Sequence, residues 1–418
     1  MRNRVEIDQT QTNRGTIRPW SSLLFRDFSL IWGSSVLTAI AVQIRNVSSL
    51  YQVYELSGSP FQLGLTGFFQ DLPFVLFGLF AGAVADALDR KKLILVTHCL
   101  HLVPGLALGF LTITGTIQVW HIYLFALVSS LVDVFSWPAR SALIPRLVPS
   151  SHLMNAVTLN TMVTQSSFLV GPAIGGVLID RIGLAVTYFS CAVLIGPAIL
   201  SVLAVRSSGK PEGKRRRISL GSIVEGVEFI WAERIILSLF LLDFGVVVVG
   251  YYRPILPIFA SDVFNMGATG LGTLYAAPAV GSLLGSTALL MAGDIRRKGV
   301  SVVVAALFFA ASLALLGISK WFWMAAAAVI VLGVTDAISV TMRRTVVQLL
   351  APDGMLGRAS SLITVFSQTT NALGALLAGA AAQLFGAPNA LLLGSGLCLI
   401  MIIGINRAIP QLWRYRSY

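Results

Sequence analysis

Twelve apolar stretches, each about as long as a bilayer is thick, organise this sequence. A helix that crosses a membrane needs about 20 apolar residues. The 418-residue chain is 56% hydrophobic and 11% charged, whereas soluble proteins carry about 25% charged residues. The pattern therefore predicts an all-α membrane protein, because helices satisfy their own backbone hydrogen bonds in lipid. The predicted spans are residues 28–53, 62–85, 93–115, 119–138, 156–179, 184–204, 236–260, 270–292, 300–319, 322–342, 360–384 and 388–408.

Part of the second half of the chain repeats the first half at a constant offset of 203 residues. The matched positions are Asp133, Arg140, Pro149, Gln165, Gly171 and Gly176, which recur as Asp336, Arg343, Pro352, Gln368, Gly374 and Gly379. Duplicated six-helix units are common in transporters. The repeat predicts two pseudo-symmetric six-helix bundles, residues 28–204 and 236–408, in a protein that moves a solute.

The distribution of Lys and Arg predicts the orientation of the chain. An even number of spans puts both termini on one side, and nearly all of the 30 basic residues fall on that side. The other side holds only Arg181 and Lys320. By the positive-inside rule, both termini and the tails 1–27 and 409–418 are cytoplasmic. The formal net charge of +12 therefore reflects topology and does not indicate a nucleic-acid partner.

The connection at residues 205–235 is the only long one predicted between spans. It begins with a basic run from Lys214 to Arg217, which either anchors the topology or contacts anionic lipid headgroups. Ser222 and Glu225 form a capping-box pattern, and an apolar residue then follows at each helical turn. We expect an amphipathic helix on the cytoplasmic membrane surface.

Six charged residues fall well inside predicted spans, where charge is costly. They are Arg45, Asp71, Asp133, Asp243, Arg253 and Asp336. Four of them, Arg45, Asp71, Asp243 and Arg253, are candidates for a solute site. We expect them to line a central cavity and to bind a charged solute or carry a coupling proton, because a carboxylate that loses water on burial holds a proton more readily. Arg45 and Asp71 fall at similar depth and are expected to pair. The alternative is that such residues form static ion pairs between helices.

The remaining reactive side chains point to no cofactor. His98 and His101, one helical turn apart, either relay protons or simply pack between helices. Cys99, Cys191 and Cys398 lie in apolar stretches without metal-ligand spacing and are expected to be buried filler. The sequence shows no nucleophile–base pair, metal cluster or phosphate loop. We therefore expect no enzyme activity, and transport driven by an ion gradient or by the solute's own gradient.

A loop motif lies between the second and third spans. It contains Gly82, Asp86 and Arg90, followed by Lys91 and Lys92. It resembles the corresponding loop signature of the major facilitator superfamily, although Asp89 stands at the usual glycine position. The resemblance implies that Asp86 faces the N-terminus of the eleventh helix.

The same resemblance implies a cytoplasmic gate. Arg90 is expected to pair with Asp133 on the fourth helix. The second half has a less well matched version of this motif, formed by Asp294, Lys298 and Asp336. The duplicated pair Arg140 and Arg343 is expected to belong to this gate, which would hold the outward-facing state and break on opening inward.

A glycine–proline cluster occupies the fifth span. It comprises Gly171, Pro172, Gly175 and Gly176. It resembles part of a motif of the superfamily's exporter branches, with Ser167 where a glycine is common. The alternative is ordinary close packing of helices through small residues.

Three further stretches are similar to a bacterial subfamily of siderophore and drug exporters. They are residues 25–28, 133–149 and 225–226. The resemblance implies proton-coupled export of a small organic molecule across the inner membrane. The protein is expected to be a monomer. An importer or lysophospholipid flippase of the same fold is the alternative within transport. A non-transporting receptor or assembly protein is the alternative outside it.

Overall fold

The computed structural model describes residues 19–209, 228, 231, 233–293, 295, 297–351 and 356–409, and the side chains of all of these except 83, 86 and 356–361. The predicted surface helix in 205–235, Asp294 and both chain tails therefore fall wholly or largely outside the described residues. The long helices are α1 (Arg26–Ser57), α2 (Pro60–Ala87), α3 (Arg90–Ile113), α4 (Val119–Leu143), α5 (Leu153–Ala204), α6 (Arg234–Gly250), α7 (Gly267–Ala292), α8 (Lys298–Ile318), α9 (Phe322–Leu350), α10 (Leu356–Phe385) and α11 (Ala387–Ala408).

Local sequence signals set several helix boundaries. The Asp89 carboxylate accepts the backbone N–H groups of Lys91 at 3.0 Å and Lys92 at 3.3 Å, and so caps the start of α3. This explains why an aspartate stands at the motif's glycine position. Helix α1 ends at Ser57 and is followed by Gly58, which has a left-handed φ of 57°, a conformation that glycine adopts without steric cost.

Ten helical stretches of the described residues are long and apolar enough to cross a membrane. One of these, Ser150–Ala204, covers the two predicted spans 156–179 and 184–204. Its helix, α5, is interrupted at Gly183, where φ is 79° and ψ is 166°. Helix α10 coincides with the predicted span 360–384 but is not one of the ten. The chain is thus an all-helical, multi-pass membrane protein.

The predicted span 236–260 lies within one of these ten stretches, Arg234–Val263, but it is not one continuous helix. Helix α6 stops at Gly250. It is followed by a 3-10 turn (Arg253–Ile255), a single α turn (Leu256–Ile258) and a π-helical turn (Phe259–Val263). Proline lacks the N–H that a helix interior needs, and Pro254 and Pro257 lie at the break. We call residues 251–263 the broken segment.

The connections between helices lie at two ends of the molecule. We call the end with Ser22 and Asp27 the terminal side, and the end with Ser59 and Gln383 the opposite side. At the terminal side, the Ser22 hydroxyl donates to the His152 carbonyl at 3.1 Å, and the Asp27 carboxylate accepts from the Ser207 N–H at 2.7 Å. At the opposite side, the Ser59 hydroxyl donates to the Gln383 side-chain oxygen at 2.8 Å. Consecutive helices therefore run back and forth between the terminal side and the opposite side.

The two halves of the chain meet through α2 against α10 and α5 against α7. Glycines allow these close approaches. A Cβ built on Gly64 would lie 2.6 Å from the Ala375 carbonyl oxygen and 2.9 Å from the Gly379 Cα, and one on Gly272 would lie 3.0 Å from the Gly176 Cα. Small residues at such crossings bring helix backbones into van der Waals contact.

Gly64→Val is expected to destabilise the protein by about 1–3 kcal/mol, because the added atoms force α2 away from α10. Gly33→Val on α1 is the matched control, since a Cβ there meets nothing within 4 Å. Thermal unfolding in detergent micelles measures both. Equal unfolding temperatures for the two variants would show that the glycine crossing contributes nothing.

Candidate functional site

A cavity of about 520 Å³ lies between helices of the first and second halves of the chain. Small-molecule sites typically enclose about 300–1,000 Å³. Both polar and aromatic side chains line it. They include Gln43, Asn46, Gln70, Asp71, Phe74, Asp133, Trp137, Arg140, Phe168, Tyr251, Arg253, Tyr275, Arg344, Gln368 and Asn371. We call this space the central cavity.

Two of the four charges predicted to face the cavity do so. Asp71 on α2 accepts from the Gln368 amide of α10 at 3.5 Å, and Gln368 in turn accepts from Asn371 at 3.5 Å. Arg253 reaches the cavity from the broken segment. Asp71 therefore lies in the cavity wall built by the first half of the chain, and Arg253 lies in the wall built by the second half.

Arg45 does not line the central cavity, and the predicted Arg45–Asp71 pair is wrong. Arg45 is only 2% exposed, and its guanidinium donates to the His101 carbonyl oxygen at 3.4 Å. The prediction considered only depth along the helix. The rotation of α1 turns Arg45 away from α2 and towards α3.

Asp133 forms the centre of a polar cluster between helices instead of joining Arg90. Its carboxylate lies 3.1 Å from the His101 Nε2 atom, and Arg45 and Arg140 are cations that act on it electrostatically. Eleven residues separate Arg90 from His101 on α3, which is about 16 Å along the helix axis. Asp133 lies level with His101, and this explains why the predicted Arg90–Asp133 pair is not formed.

The role of His101 as partner of Asp133 was not predicted. The available signal was the i,i+3 spacing of His98 and His101, which puts both on one helix face. His98 is fully buried, and neither of its ring nitrogens has a hydrogen-bond partner among the described residues. Arg140 lines the central cavity, and its guanidinium donates to the Ser136 hydroxyl at 3.4 Å.

Asp243 and Arg343 form a buried ion pair between α6 and α9, with side chains 10% and 9% exposed. Neither lines the central cavity, so the prediction for Asp243 is wrong. Asp243 and Asp336 instead line a separate space of about 30 Å³. Arg343 corresponds to Arg140 in the repeat and was expected in the cytoplasmic gate. In this structure it forms the buried pair with Asp243 instead.

The other predicted gate residues are only partly described. Arg90 is buried, and its backbone N–H donates to the Gly209 carbonyl at 2.9 Å. Lys298 is also buried. Gly82 meets no described heavy atom within 4 Å of a built Cβ, so it is not a point of close packing here. The Asp86 side chain and all of Asp294 lie outside the described residues.

The glycine–proline cluster of α5 contacts two helices. A Cβ on Gly175 would lie 3.3 Å from the Ile44 Cα of α1, while Gly176 abuts Gly272 of α7. Pro172 borders the central cavity, and its carbonyl oxygen faces Gly272. Gly171 packs against Gln43 of α1.

Three contacts join the two halves of the chain at the opposite side. The Asp180 carboxylate of α5 accepts the backbone N–H groups of Thr269 at 2.8 Å and Ala268 at 3.3 Å, at the start of α7. The Tyr54 hydroxyl contacts the Asp262 carboxylate. Ser59 with Gln383 is the third. We call these the opposite-side contacts.

Trp137, which lines the cavity from α4, is 58% exposed.

Across the described part of the chain, no three His, Cys, Asp or Glu side chains are grouped so as to hold a metal ion. The polar groups of the central cavity are amides, hydroxyls, guanidinium groups and carboxylates. They are suited to hydrogen bonding and charge pairing with an organic solute.

Sequence comparison finds curated relatives along nearly the whole chain. The enterobactin exporter EntS of Shigella boydii serotype 18 is 24% identical over 391 residues, 93% of each chain. EntS of Escherichia coli O139:H28 gives the same identity and coverage.

Solved structures show the same fold at low sequence identity. A bacterial homologue of the human lysosomal transporter Spinster, in an inward-facing and unoccupied conformation, has a TM-score of 0.73 and 16% identity, and covers 94% of this chain and 99% of its own. The nucleoside transporter NupG has a TM-score of 0.73 and 13% identity, covering 93% of this chain and 100% of its own.

A family model for transmembrane secretion effectors matches residues 17–415, which is almost the entire chain. Together with the helical fold and the cavity between the two halves, this match identifies the family: the chain belongs to the transmembrane secretion effectors of the major facilitator superfamily.

Proposed function

We propose that this protein is a proton-coupled exporter of a small organic molecule, such as a siderophore, a drug or a related metabolite. The observation that carries the proposal is the central cavity, which is built by both halves of the chain and contains the carboxylate of Asp71. The exporters among the curated relatives support outward transport. The charges in the cavity wall disfavour a lipid flippase, whose substrate has long apolar chains.

We further propose twelve spans in two six-helix bundles that rock around the cavity. Helix α5 supplies two spans on either side of Gly183, and α10 completes the second bundle. Both termini would be cytoplasmic in the inner membrane of a bacterium, which the distribution of Lys and Arg supports. The protein would act as a monomer, because each chain holds a complete cavity.

The opposite-side contacts would close the cavity towards the outside of the cell. The exposure of Trp137 supports an opening at the terminal side. The proposed members of the cytoplasmic gate are Asp86, Arg90, Asp294 and Lys298, and this gate would hold the outward-facing state.

Asp180→Ala is expected to weaken the closure of the opposite side. An aspartate that caps a helix N-terminus contributes about 0.5–2 kcal/mol, so the ratio of closed to open molecules should fall about fivefold. Distances between spin labels at Leu56→Cys and Leu384→Cys, after replacement of the three native cysteines, measure the opening. Arg181→Ala, the exposed neighbour, is the control. Identical distance distributions for both variants would show that Asp180 does not hold the contact.

The proposed export is tested by secretion. Cells that overproduce the protein, cells that lack it and cells that carry an Asp71→Asn variant are compared by untargeted mass spectrometry of the medium. We expect one or a few organic compounds to rise in the medium with the wild-type protein alone. If the same compounds instead disappear faster from the medium, the protein is an importer.

A further inference from the structure

The broken segment places a non-helical backbone at the cavity wall. Helix α6 ends at Gly250, and Tyr251 is extended, with φ −71° and ψ 119°. Tyr251 and Arg253 line the central cavity. Within a bilayer, non-helical backbone is tolerated where it is buried in protein or lines a polar cavity. Transporters also use interrupted helices to build their solute sites.

Arg253 is a cavity cation whose charge is not matched by a nearby carboxylate. Arg343 is paired with Asp243, and Asp133 acts on Arg140 electrostatically from beyond ion-pair distance. Among the described side chains, no carboxylate oxygen comes within 4.0 Å of the Arg253 guanidinium. Asp71 and Asp336 act on it only from longer range. A guanidinium at a cavity wall without a carboxylate partner attracts a negatively charged group, so this site favours an incoming anion.

The surroundings of Arg253 hold it in position. The Tyr275 hydroxyl of α7 donates to the Arg253 carbonyl oxygen at 2.6 Å, which fixes the backbone of the broken segment. Tyr251 and Tyr275 also line the cavity. Tyrosine rings offer flat apolar surfaces with a polar tip, and a guanidinium forms two parallel hydrogen bonds with a carboxylate.

We propose that Arg253 binds a carboxylate or similar planar oxyanion of the substrate, while the substrate's aromatic portion packs against Tyr251 and Tyr275. The inference rests on the proposed export function and names the class of solute that the cavity takes: aromatic organic anions. The charges that line the cavity agree with this class, since Arg140, Arg253 and Arg344 outnumber Asp71 and Asp133.

Matched probes test the charge preference directly. The full-length protein in lipid nanodiscs is titrated calorimetrically with naphthalene-2-carboxylate, with naphthalene-2-carboxamide and with 2-naphthylmethylammonium. We expect the carboxylate to bind about tenfold more tightly than the amide, a difference of about 1.4 kcal/mol. Arg253→Gln should bring the two affinities together, and Arg253→Lys should retain part of the difference. Arg407→Gln, at the end of α11, should leave all three affinities unchanged.

Equal affinity for acid and amide, tighter binding of the ammonium probe, no binding of any probe, or an unchanged preference in Arg253→Gln would each overturn the inference. Transport of the same probes into inside-out membrane vesicles separates this failure from failure of the export proposal. If the amide or ammonium probe is transported against its gradient and the carboxylate is not, export stands and the anion site is wrong. If the carboxylate binds through Arg253 but no probe is transported, the anion site stands and the proposed export function is wrong.

Discussion

Asp71→Asn is expected to abolish uphill transport while leaving the protein folded. The asparagine has the shape of a protonated aspartate but releases no proton, so transport no longer draws on the pH gradient. The Gln368 amide, which donates to Asp71 at 3.5 Å, keeps an acceptor in the variant, because the asparagine side chain retains a carbonyl oxygen. Solute should then only equilibrate across the membrane of vesicles that contain the variant.

The measurement is uptake into inside-out vesicles with and without an imposed pH gradient. Glu228→Gln, an exposed acid on the connection between the halves, is the control and should keep the uphill component. Uphill transport by Asp71→Asn at the wild-type level would show that the coupling proton is carried elsewhere, and the Asp133–His101 pair would be the next site to examine.

Arg343→Ala is expected to cause a large loss of stability. It leaves the Asp243 carboxylate buried without its partner, and removal of one member of a buried pair costs about 3–5 kcal/mol. Arg344 is the matched control because it is the next residue and is exposed. Its replacement by alanine should change the free energy of unfolding by about 0.5 kcal/mol or less.

The double variant Asp243→Ala/Arg343→Ala should recover most of that loss, since no unpaired charge remains. Thermal unfolding in detergent micelles measures all four proteins. If Arg343→Ala and Arg344→Ala unfold at the same temperature, the buried pair does not stabilise the helix contact between α6 and α9.

The arrangement of helices along the chain was predictable because a bilayer imposes one length on every span. Apolar runs of that length mark α1 to α4 directly, and the structure places a helix over each of them. The break after α6 was not predictable. Prolines are tolerated inside membrane helices, so Pro254 alone did not distinguish a bend from an interruption.

The partners of the buried charges were harder to predict than their positions. Sequence gives depth along a helix but not the rotation of one helix against its neighbours. Arg45 and Asp71 fall at similar depth, yet Arg45 faces α3 and Asp71 faces the cavity. The repeat misled in the same way: Arg140 and Arg343 are equivalent in sequence, but only Arg140 reaches the central cavity.

Proton-coupled export is tested most directly in inside-out vesicles that contain the protein, energised by respiration and monitored with a dye that reports the acid interior. The compounds that rise in the medium of overproducing cells are then added. We expect that they enter the vesicles and dissipate the pH gradient, and that vesicles with Asp71→Asn keep it. Accumulation of the compounds without any effect on the pH gradient, and without any need for one, would contradict it.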